Sequence, residues 1–336
     1  MLKAFLIAAA TLAAMTPVSA QTAAPTETVR IAAGGRAQVN FIPLTLADRL
    51  GYFKAEGLNV EVFDYQAGSR SVEALVAGNV DLVTGAYEHT LLMQHRGVHI
   101  QALVLLARTY GMVIALGKEQ AAKYRSPRDL KGLRIGVSAP GSTTALVLEV
   151  FLRKAGMTLD DVSVIAVGQS AAAVAAMKYG KIDGIVNPDP VITKLVNDGD
   201  AMAILDSRTE QGARDLHDGY LASSAILTTP EFIARRPAAA QAFVNAMVRT
   251  LAWLKTASVE DIMAHLPPEY FAGDRELYRQ ALVANRHNYS QDGRITVELA
   301  NNTLALLRIG PLAGAAPLDL GRTYVETFVE RALKLY

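Results

Sequence analysis

The sequence predicts an α/β protein built from two similar lobes, and three observations support that fold class. Short apolar strands alternate with amphipathic helices over the first two-thirds of the chain, which is typical of sheets covered by helices on both faces. One pattern of loop, helix and strand occurs twice, about a hundred residues apart. The length of 336 residues also exceeds the ~250–300 residues at which a single core usually stops growing.

Residues 1–20 are predicted to be an export signal and are left out of the fold. Lys3 supplies a positive charge, residues 4–15 are mostly apolar, and Val18-Ser19-Ala20 fits a small-x-small cleavage site. The apolar stretch is shorter than the about 20 residues that cross a bilayer. We therefore expect a periplasmic protein that is soluble after the signal peptide is cleaved.

Composition and motifs exclude several classes of function. The formal charge is +1, with acidic and basic residues scattered along the chain, so neither nucleic acid nor an anionic membrane is an expected partner. The chain has no cysteine, which excludes disulfides and thiolate sites. G-x-S-x-G, H-E-x-x-H and G-x-G-x-x-G motifs are absent, so we predict no catalytic residues and no cofactor. His95 and His99 lack a third ligand and flank Gly97, so no metal site is predicted.

The first elements follow one another in the order strand, helix, strand. Residues 29–33 form an apolar strand that ends at Gly34-Gly35. Residues 43–50 carry apolar side chains at near-helical spacing, and Gly51 ends that helix. Residues 59–63 alternate apolar and polar side chains, as a half-buried strand does.

The internal repeat is the most informative pattern. Residues 68–85, GSRSVEALVAGNVDLVTG, and residues 168–185, GQSAAAVAAMKYGKIDGI, both give a glycine loop, a helix, a glycine stop, an aspartate and a strand. The aspartates are Asp81 and Asp183. Two equivalent units predict two similar lobes; chance similarity between two ordinary helix–strand units is the alternative.

A further strand, residues 133–137, leads into a polar loop and an apolar helix over residues 145–155. Ser142 or Thr143 is placed to cap this helix, which leaves backbone N–H groups and the positive end of the helix dipole at the end of the strand. The turn that continues through Thr144 is therefore a candidate anion site, with a plain capped helix start as the alternative.

The last third of the chain is predicted to be mostly helical. Helices are expected over residues 230–235, 237–255 and 324–335. The apolar stripe of the second of these helices, which includes Trp253, is interpreted as core.

Five segments resemble a known family and follow the same order as in that family. They resemble the nitrate, sulfonate, taurine and thiamine-pyrimidine (NMT1-like) group of ABC-transporter substrate-binding proteins. The segments are PLTLADRLGYFKAEGLNVEV (43–62), GSRSVEALVAGNVDLVTG (68–85), SPRDLKGLRIGVSAPGSTT (126–144), AVAAMKYGKIDGIV (173–186) and LTTPEFIARRPAAAQAFV (227–244).

The resemblance implies a type II periplasmic-binding-protein fold, in which two α/β lobes enclose a ligand cleft. We expect lobe one at residues 27–113 plus 224–336 and lobe two at residues 114–223. The hinges would be residues 110–116 and 220–227. The carboxyl ends of the strands should face the cleft.

Candidate ligand-binding residues in lobe one follow strand ends. Arg36 comes after the first strand, and Arg70 and Ser71 lie where the first repeat helix begins. Guanidinium groups bind carboxylates and sulfonates in a bidentate manner; a solvated surface position is the alternative for each arginine. Gln38 and Asn40 lie in the same loop as Arg36.

Further candidates follow other strands. Tyr87 and Glu88 come after the first repeat, and Tyr110 lies near a predicted hinge. Family members often carry a tryptophan, an acid and a proline where this chain has Asn187-Pro188-Asp189-Pro190. Asp189 is a candidate ligand contact, and Tyr87 a candidate replacement for the missing aromatic wall.

The resemblance implies a non-catalytic protein that binds a small organic anion by hinge closure. We expect it to be a monomer and to have an ABC transporter permease as its partner. Sulfonate, carboxylate, nitrate and taurine ligands all remain open. The alternatives are a thiamine-precursor pyrimidine-binding protein and a pyrimidine-synthesising enzyme on the same fold, although that enzyme branch carries a cysteine-rich motif.

Overall fold

The computed structural model describes residues 27–217, 219–271 and 273–336. The predicted export signal therefore lies outside the described residues. In the described part the strands are β1 (Glu27–Ala33), β2 (Leu58–Asp64), β3 (Leu82–Ala86), β4 (Gln101–Leu105), β5 (Val113–Gly117), β6 (Arg134–Val137), β7 (Ser163–Ala166), β8 (Gly184–Asn187), β9 (Ala201–Asp206) and β10 (Ser224–Thr228).

These strands form two five-stranded sheets with the same topology. The strand order is β2-β1-β3-β10-β4 in the first sheet and β7-β6-β8-β5-β9 in the second. In each sheet the first three strands of this order are parallel, and the fourth, β10 or β5, runs antiparallel to both neighbours. Two mixed sheets with their helices confirm the predicted α/β fold class with two lobes.

Helices connect the strands and form most of the C-terminal part. Short 3-10 turns also occur, at Val39–Phe41, Pro127–Leu130, Leu159–Asp161, Pro268–Phe271, Arg286–Asn288 and Leu320–Arg322. The helices of the described residues are α1 (Ile42–Arg49), α2 (Tyr52–Ala55), α3 (Gly68–Val76), α4 (Glu88–His95), α5 (Lys118–Lys123), α6 (Thr143–Lys154), α7 (Ala171–Lys178), α8 (Val191–Asn197), α9 (Glu210–His217), α10 (Pro230–Arg235), α11 (Pro237–Thr256), α12 (Val259–His265), α13 (Arg275–Asn285), α14 (Val297–Ile309) and α15 (Thr327–Ala332).

The internal repeat corresponds to equivalent units in the two sheets. The first copy forms α3 and β3, and the second forms α7 and β8. Asp81 accepts a hydrogen bond from the backbone N–H of Arg30 (2.8 Å), and Asp183 does the same with Arg134 (2.8 Å). The aspartate of each copy therefore fixes the start of its strand beside the neighbouring parallel strand, β1 or β6.

The C-terminal helices pack on the first sheet. Val29 and Ile31 of β1 share one buried apolar cluster with Phe243 and Met247 of α11 and Phe328 of α15. The predicted apolar stripe is therefore core, except that Trp253 is only half-buried at the edge of this cluster. We use lobe one for the first sheet with the C-terminal helices that pack on it, and lobe two for the part built on the second sheet.

The chain passes between the sheets twice, at residues 106–112 and, after α9, at residues 219–223. The two crossover segments are hydrogen-bonded to each other, since the N–H of Leu221 donates to the carbonyl of Arg108 (2.9 Å). Both crossovers therefore form one paired connection between the lobes.

The sequence placed the hinges and lobe limits close to these crossovers. The predicted hinges, 110–116 and 220–227, overlap the crossovers but extend into β5 and β10. The lobe limits of 27–113 plus 224–336 and 114–223 stay a prediction. Over the residues that the structure describes, no helix combines the length and the apolar character that crossing a membrane requires.

Replacing Asp183 with asparagine should destabilise the protein. Arg134 donates to Asp183 from Nε (3.0 Å) and Nη2 (2.7 Å), and these bonds lower the pKa of Asp183 below its usual 3.8. Because hydrogen bonds to charged groups contribute about 1.5–3 kcal/mol and Arg134 is partly exposed, we expect Asp183→Asn to lose about 1–2 kcal/mol of unfolding free energy at pH 7 in urea denaturation.

The pH dependence and a surface pair provide the controls. A lowered pKa in the folded state stabilises the fold above the unfolded pKa of about 3.9, so the difference between wild type and variant should shrink as the pH falls below about 4. Glu119→Gln, in the exposed pair with Lys123, should change stability by less than about 0.5 kcal/mol. Equal losses in both variants would contradict the assignment.

Candidate ligand-binding site

A cavity of about 560 Å³ lies between the two lobes, and we call it the outer cavity. Its walls come from the loop after β1, from the segment that leads into α13, and from α7 and the start of α8. Its lining includes Arg36, Gln38, Tyr65, Tyr270, Phe271 and Leu277 of lobe one, and Gln169, Val174, Tyr179 and Val191 of lobe two.

A second, smaller space lies deeper between the lobes, and we call it the inner pocket. Its volume of about 20 Å³ is enough for about one water molecule. Gln38 and Gln169 line both spaces, so this pair separates them. The rest of the inner lining combines polar residues (Asn40, Tyr110, Ser142, Thr143, Ser223 and Ser224) with glycines and with Phe41, Ala86 and Met112.

Two hydrogen-bonded contacts join the lobes at this place. Gln38 of lobe one donates from Nε2 to Oε1 of Gln169 in lobe two (2.6 Å). Ser142 of lobe two donates from Oγ to Oγ of Ser69 in lobe one (3.0 Å) and accepts the Ser69 backbone N–H (3.1 Å). The lobes are therefore in contact on both sides of the inner pocket.

These two contacts are equivalent under exchange of the lobes. Gln38 and Ser142 occupy corresponding loops, after β1 and β6, while Ser69 and Gln169 each follow the first glycine of a repeat copy. The loop after β1 or β6 thus meets the repeat loop of the other lobe. Ser142 is the N-cap residue of α6, as predicted, but no side-chain capping bond forms because its hydroxyl bonds Ser69 instead.

Arg36 brings a positive charge to the outer cavity. Its backbone N–H donates to Asp64 Oδ1 (2.9 Å), whereas its Nε is buried with no hydrogen-bond partner in the described part of the chain. Burial raises the pKa of Tyr270, and the nearby Arg36 guanidinium partly offsets that rise. A bound oxyanion would supply the partner that Arg36 Nε lacks.

Most other charged groups around the outer cavity are already engaged. Lys178 and Lys194 both bond Asp198 (2.6 and 2.8 Å), and Asp274 caps the start of α13. Glu269 is exposed to solvent. Arg36 is therefore the cavity-lining cation with the greatest capacity to bind an added anion.

Glu88 is buried beside the inner pocket. The Thr143 hydroxyl donates to Glu88 Oε1 across the lobes (2.6 Å). Burial raises the pKa of Glu88, and the charge of His89 and the Thr143 hydrogen bond only partly offset this effect. The same carboxyl group contributes to the raised pKa of Tyr110, after the larger effect of burial. The site therefore favours the neutral form of Glu88.

Among the described residues, two side-chain atoms of the inner pocket are buried without a hydrogen-bond partner, Asn40 Oδ1 and Ser223 Oγ, whereas Tyr110 interacts with Glu88. Asn40 Nδ2 donates to the Tyr110 carbonyl (3.0 Å), which fixes the amide orientation and leaves its oxygen as the open acceptor. Unpartnered buried groups are costly, so a water molecule or a polar ligand group would be stabilised in this pocket.

Asp189 lies close to these cavities but is fully engaged by protein groups. Its Oδ1 accepts the Thr193 N–H (3.0 Å), and its Oδ2 accepts from Arg208 (2.8 Å) and from Asn285 Nδ2 (2.7 Å). Asn285 belongs to α13 on lobe one. Asp189 therefore connects the two lobes through its hydrogen bonds.

The remaining predicted residues do not line either space. Arg70 is exposed and pairs with Glu73 (2.8 Å), and the Ser71 hydroxyl donates to the backbone of its own helix. Tyr87 is fully buried with its hydroxyl against Thr323 (2.5 Å), so it forms no aromatic wall of the outer cavity. Thr144 is buried and bonded within its own loop, to the Ser138 N–H (2.9 Å).

Most residues in the walls of the outer cavity were not predicted as ligand contacts from the sequence. Tyr270, Phe271 and Leu277 come from the C-terminal part, where apolar residues were interpreted only as core. Gln169 was detectable, because it holds in the second repeat copy the place that Ser69 holds in the first. No signal in the sequence distinguished Val174 from the other apolar residues of its helix.

Comparison with known families gives a match over most of the described chain. Residues 38–258 match the family model described as NMT1/THI5 like. A solved structure of a protein from Bordetella bronchiseptica RB50 has a TM-score of 0.88 and 36% identity, and the match covers 92% of this chain and 98% of that one.

Two further comparisons connect this chain to proteins with named activities. The alkanesulfonate-binding protein SsuA from Xanthomonas axonopodis pv. citri, solved bound to MOPS, has a TM-score of 0.67 and 19% identity, with 92% of this chain and 99% of that chain covered. This similarity shows that the two chains share a fold. The 4-amino-5-hydroxymethyl-2-methylpyrimidine phosphate synthase THI13 of Saccharomyces cerevisiae is 29% identical over 147 residues, which is 42% of this chain and 40% of the yeast protein. The chain thus spans about two-fifths of that relative's length.

Replacing Glu88 with glutamine should make stability less dependent on pH. An acid whose pKa is raised on folding destabilises the fold increasingly as the pH rises from its unfolded pKa toward its folded pKa. Each pKa unit of the rise corresponds to about 1.4 kcal/mol. We therefore expect Glu88→Gln to match wild type at pH 4 and to exceed its unfolding free energy at pH 7, measured by urea denaturation.

Glu73→Gln is the matched control, because Glu73 is exposed in its pair with Arg70. Its stability should follow wild type within about 0.5 kcal/mol at both pH values. A Glu88→Gln difference that stays constant between pH 4 and pH 7 would contradict the buried, shifted carboxyl.

Proposed function

The chain belongs to the NMT1/THI5-like family, and on that premise we propose that it is the solute-binding component of an ABC importer, which holds one small organic anion between its lobes. The observation that supports this proposal most directly is the outer cavity, because its walls come from both lobes. A ligand in this position contacts both lobes at once and is carried without chemical change.

The positive charge of Arg36 is the reason for proposing a negatively charged ligand. Its guanidinium lines the cavity, and its buried Nε has no partner among the described residues. A carboxylate or sulfonate can accept two parallel hydrogen bonds from a guanidinium. Gln38 and Gln169 lie beside Arg36 and provide neutral polar contacts at the inner end of the cavity.

Hinge closure about the paired crossovers is the proposed mode of binding. Contacts on both lobes stabilise the closed state more than the open state, so the ligand shifts the population toward closure. The Gln38–Gln169, Ser69–Ser142 and Thr143–Glu88 hydrogen bonds are among the protein contacts that such closure would form. An exported protein of this kind would act as a monomer in the periplasm and deliver its ligand to a permease.

The fungal relatives support a second candidate, which is recognition or synthesis of a thiamine-precursor pyrimidine. The open acceptor of Asn40 in the inner pocket is a chemically suitable partner for an amino group. The chain has no cysteine, so any such synthesis would have to proceed without a cysteine side chain. We favour transport of an anion because a neutral pyrimidine would leave the charge of Arg36 in the cavity without a counter-charge.

Replacing Arg36 with glutamine should weaken anion binding. Truncating one partner of a desolvated charge pair costs about 2–5 kcal/mol, and Arg36 is only partly buried, so we expect an affinity loss of about 10- to 100-fold. The measurement is calorimetry with the tightest-binding member of a panel of benzoate, benzenesulfonate, ethanesulfonate, taurine and nitrate.

Arg70→Gln is the matched control, because Arg70 lies outside both spaces and pairs with Glu73. It should retain the wild-type affinity within about two-fold. Equal affinities in wild type and Arg36→Gln would overturn the anion assignment, and tighter binding of 4-amino-5-hydroxymethyl-2-methylpyrimidine than of every anion would favour the second candidate.

Binding without turnover is a separate expectation. After prolonged incubation with purified protein, the bound panel member should be recovered unchanged by chromatography. At about 100 times its dissociation constant it should stabilise the folded protein by about 2.7 kcal/mol, which is detectable as a raised melting temperature. Loss of the ligand with formation of a product would instead indicate an enzyme.

A further inference from the structure

We propose that the ligand combines its anionic group with an apolar body, so that aromatic or branched carboxylates and sulfonates are preferred over inorganic oxyanions and taurine. This inference rests on the proposed function and specifies the chemical class of its ligand. The walls of the outer cavity would select that class of ligand. Val174 of α7 and Leu277 of α13 lie in these walls, on opposite lobes.

The size of the outer cavity is the first argument. At about 560 Å³ it falls within the ~300–1,000 Å³ typical of pockets for organic ligands. A small inorganic oxyanion is comparable to one or two water molecules of about 30 Å³ each. Such an ion would leave most of the cavity filled with water and would contact only one wall.

The chemistry of the walls is the second argument. Tyr65, Tyr270 and Phe271 contribute aromatic side chains, and Ala171 and Ala175 add to the apolar face around Val174. The Tyr270 hydroxyl is already bonded to Thr45 (2.7 Å).

Three of the charged side chains around these walls are already engaged by protein groups. Lys178 and Lys194 are paired with Asp198, and Asp274 caps its own helix. What the cavity offers to a ligand, beyond the polar end formed by Arg36, Gln38 and Gln169, is therefore mainly apolar contact.

The inner boundary of the cavity is the third argument. The Gln38–Gln169 hydrogen bond closes the outer cavity toward the inner pocket. The inner pocket has a volume of only about 20 Å³, so an organic ligand of more than a few atoms cannot be held there in this closed arrangement. The body of the ligand must lie against Val174, Leu277 and the aromatic side chains.

The test compares anions of equal charge and increasing apolar size. The carboxylates are acetate, benzoate, phenylacetate and 2-naphthoate; the sulfonates are methanesulfonate, benzenesulfonate and 2-naphthalenesulfonate; nitrate and taurine complete the set. Burying each further methylene-sized group should raise affinity roughly four-fold, until the cavity is filled. We expect at least one aromatic member to bind 100-fold more tightly than acetate, nitrate and taurine, as measured by calorimetry.

A variant pair ties that preference to the cavity wall. Val174→Phe reduces the space and should weaken binding of the largest tight ligand at least ten-fold, with acetate and methanesulfonate unchanged. Val196→Phe is the matched control, because Val196 is partly exposed on the neighbouring α8 and lies outside the cavity lining; it should bind every ligand as wild type does. Val174→Ser adds no side-chain volume but removes apolar surface from the wall, so it should weaken the binding of aromatic ligands several-fold. It provides the test if the phenylalanine variant does not fold.

The outcomes separate this inference from the proposed function. If nitrate, taurine or acetate binds as tightly as the aromatic members and that binding depends on Arg36, the apolar-body inference fails and the anion-binding function stands. If Val174→Phe and Val174→Ser both leave aromatic binding unchanged, the assignment to this wall fails. If no anion of the set binds to wild type, both proposals fail.

Discussion

The antiparallel strand at the fourth position of each sheet is the constraint on which the rest of the architecture depends. β5 enters the second sheet directly after the first crossover, and β10 enters the first sheet directly after the second. Each hydrogen-bonds neighbours on both sides, so neither sheet is complete until the chain has crossed. The two crossovers are consequently adjacent and paired, and the space between the lobes opens beside them.

The reciprocal loop contacts follow from the shared topology. Because β1 and β6 hold the same place in their sheets, the loops that follow them reach across to the repeat loop of the opposite lobe, which brings Gln38 to Gln169 and Ser142 to Ser69. The side chains at these equivalent places differ in length. The longer amide pair forms the boundary between the two spaces, whereas the short serine pair brings its loops close together, so a symmetric scaffold gives an asymmetric site.

The alternation of strands and helices and the internal repeat were sufficient to predict the fold class, because both depend on local residue patterns. The same patterns placed Arg36, Gln38 and Asn40 in a loop that does line the cavities. The sequence shows Glu73 three residues after Arg70, a spacing at which helical side chains can pair, but it does not show which side of the helix faces the cleft. Local patterns also could not place Tyr270 and Phe271, because these residues reach the cavity only after the C-terminal helices pack on the first sheet.

The separate origins of the cavity walls have a consequence for how such a receptor can diversify. The Gln38–Gln169 and Ser69–Ser142 bonds between the lobes come from loops at the strand ends, whereas much of the apolar wall comes from the 268–277 segment and from one face of α7. Substitutions in these two stretches can change what is recognised while the closing contacts stay intact. The scaffold is therefore suited to gene duplication followed by divergence, and to redesign as a sensor in which a new analyte triggers an unaltered motion.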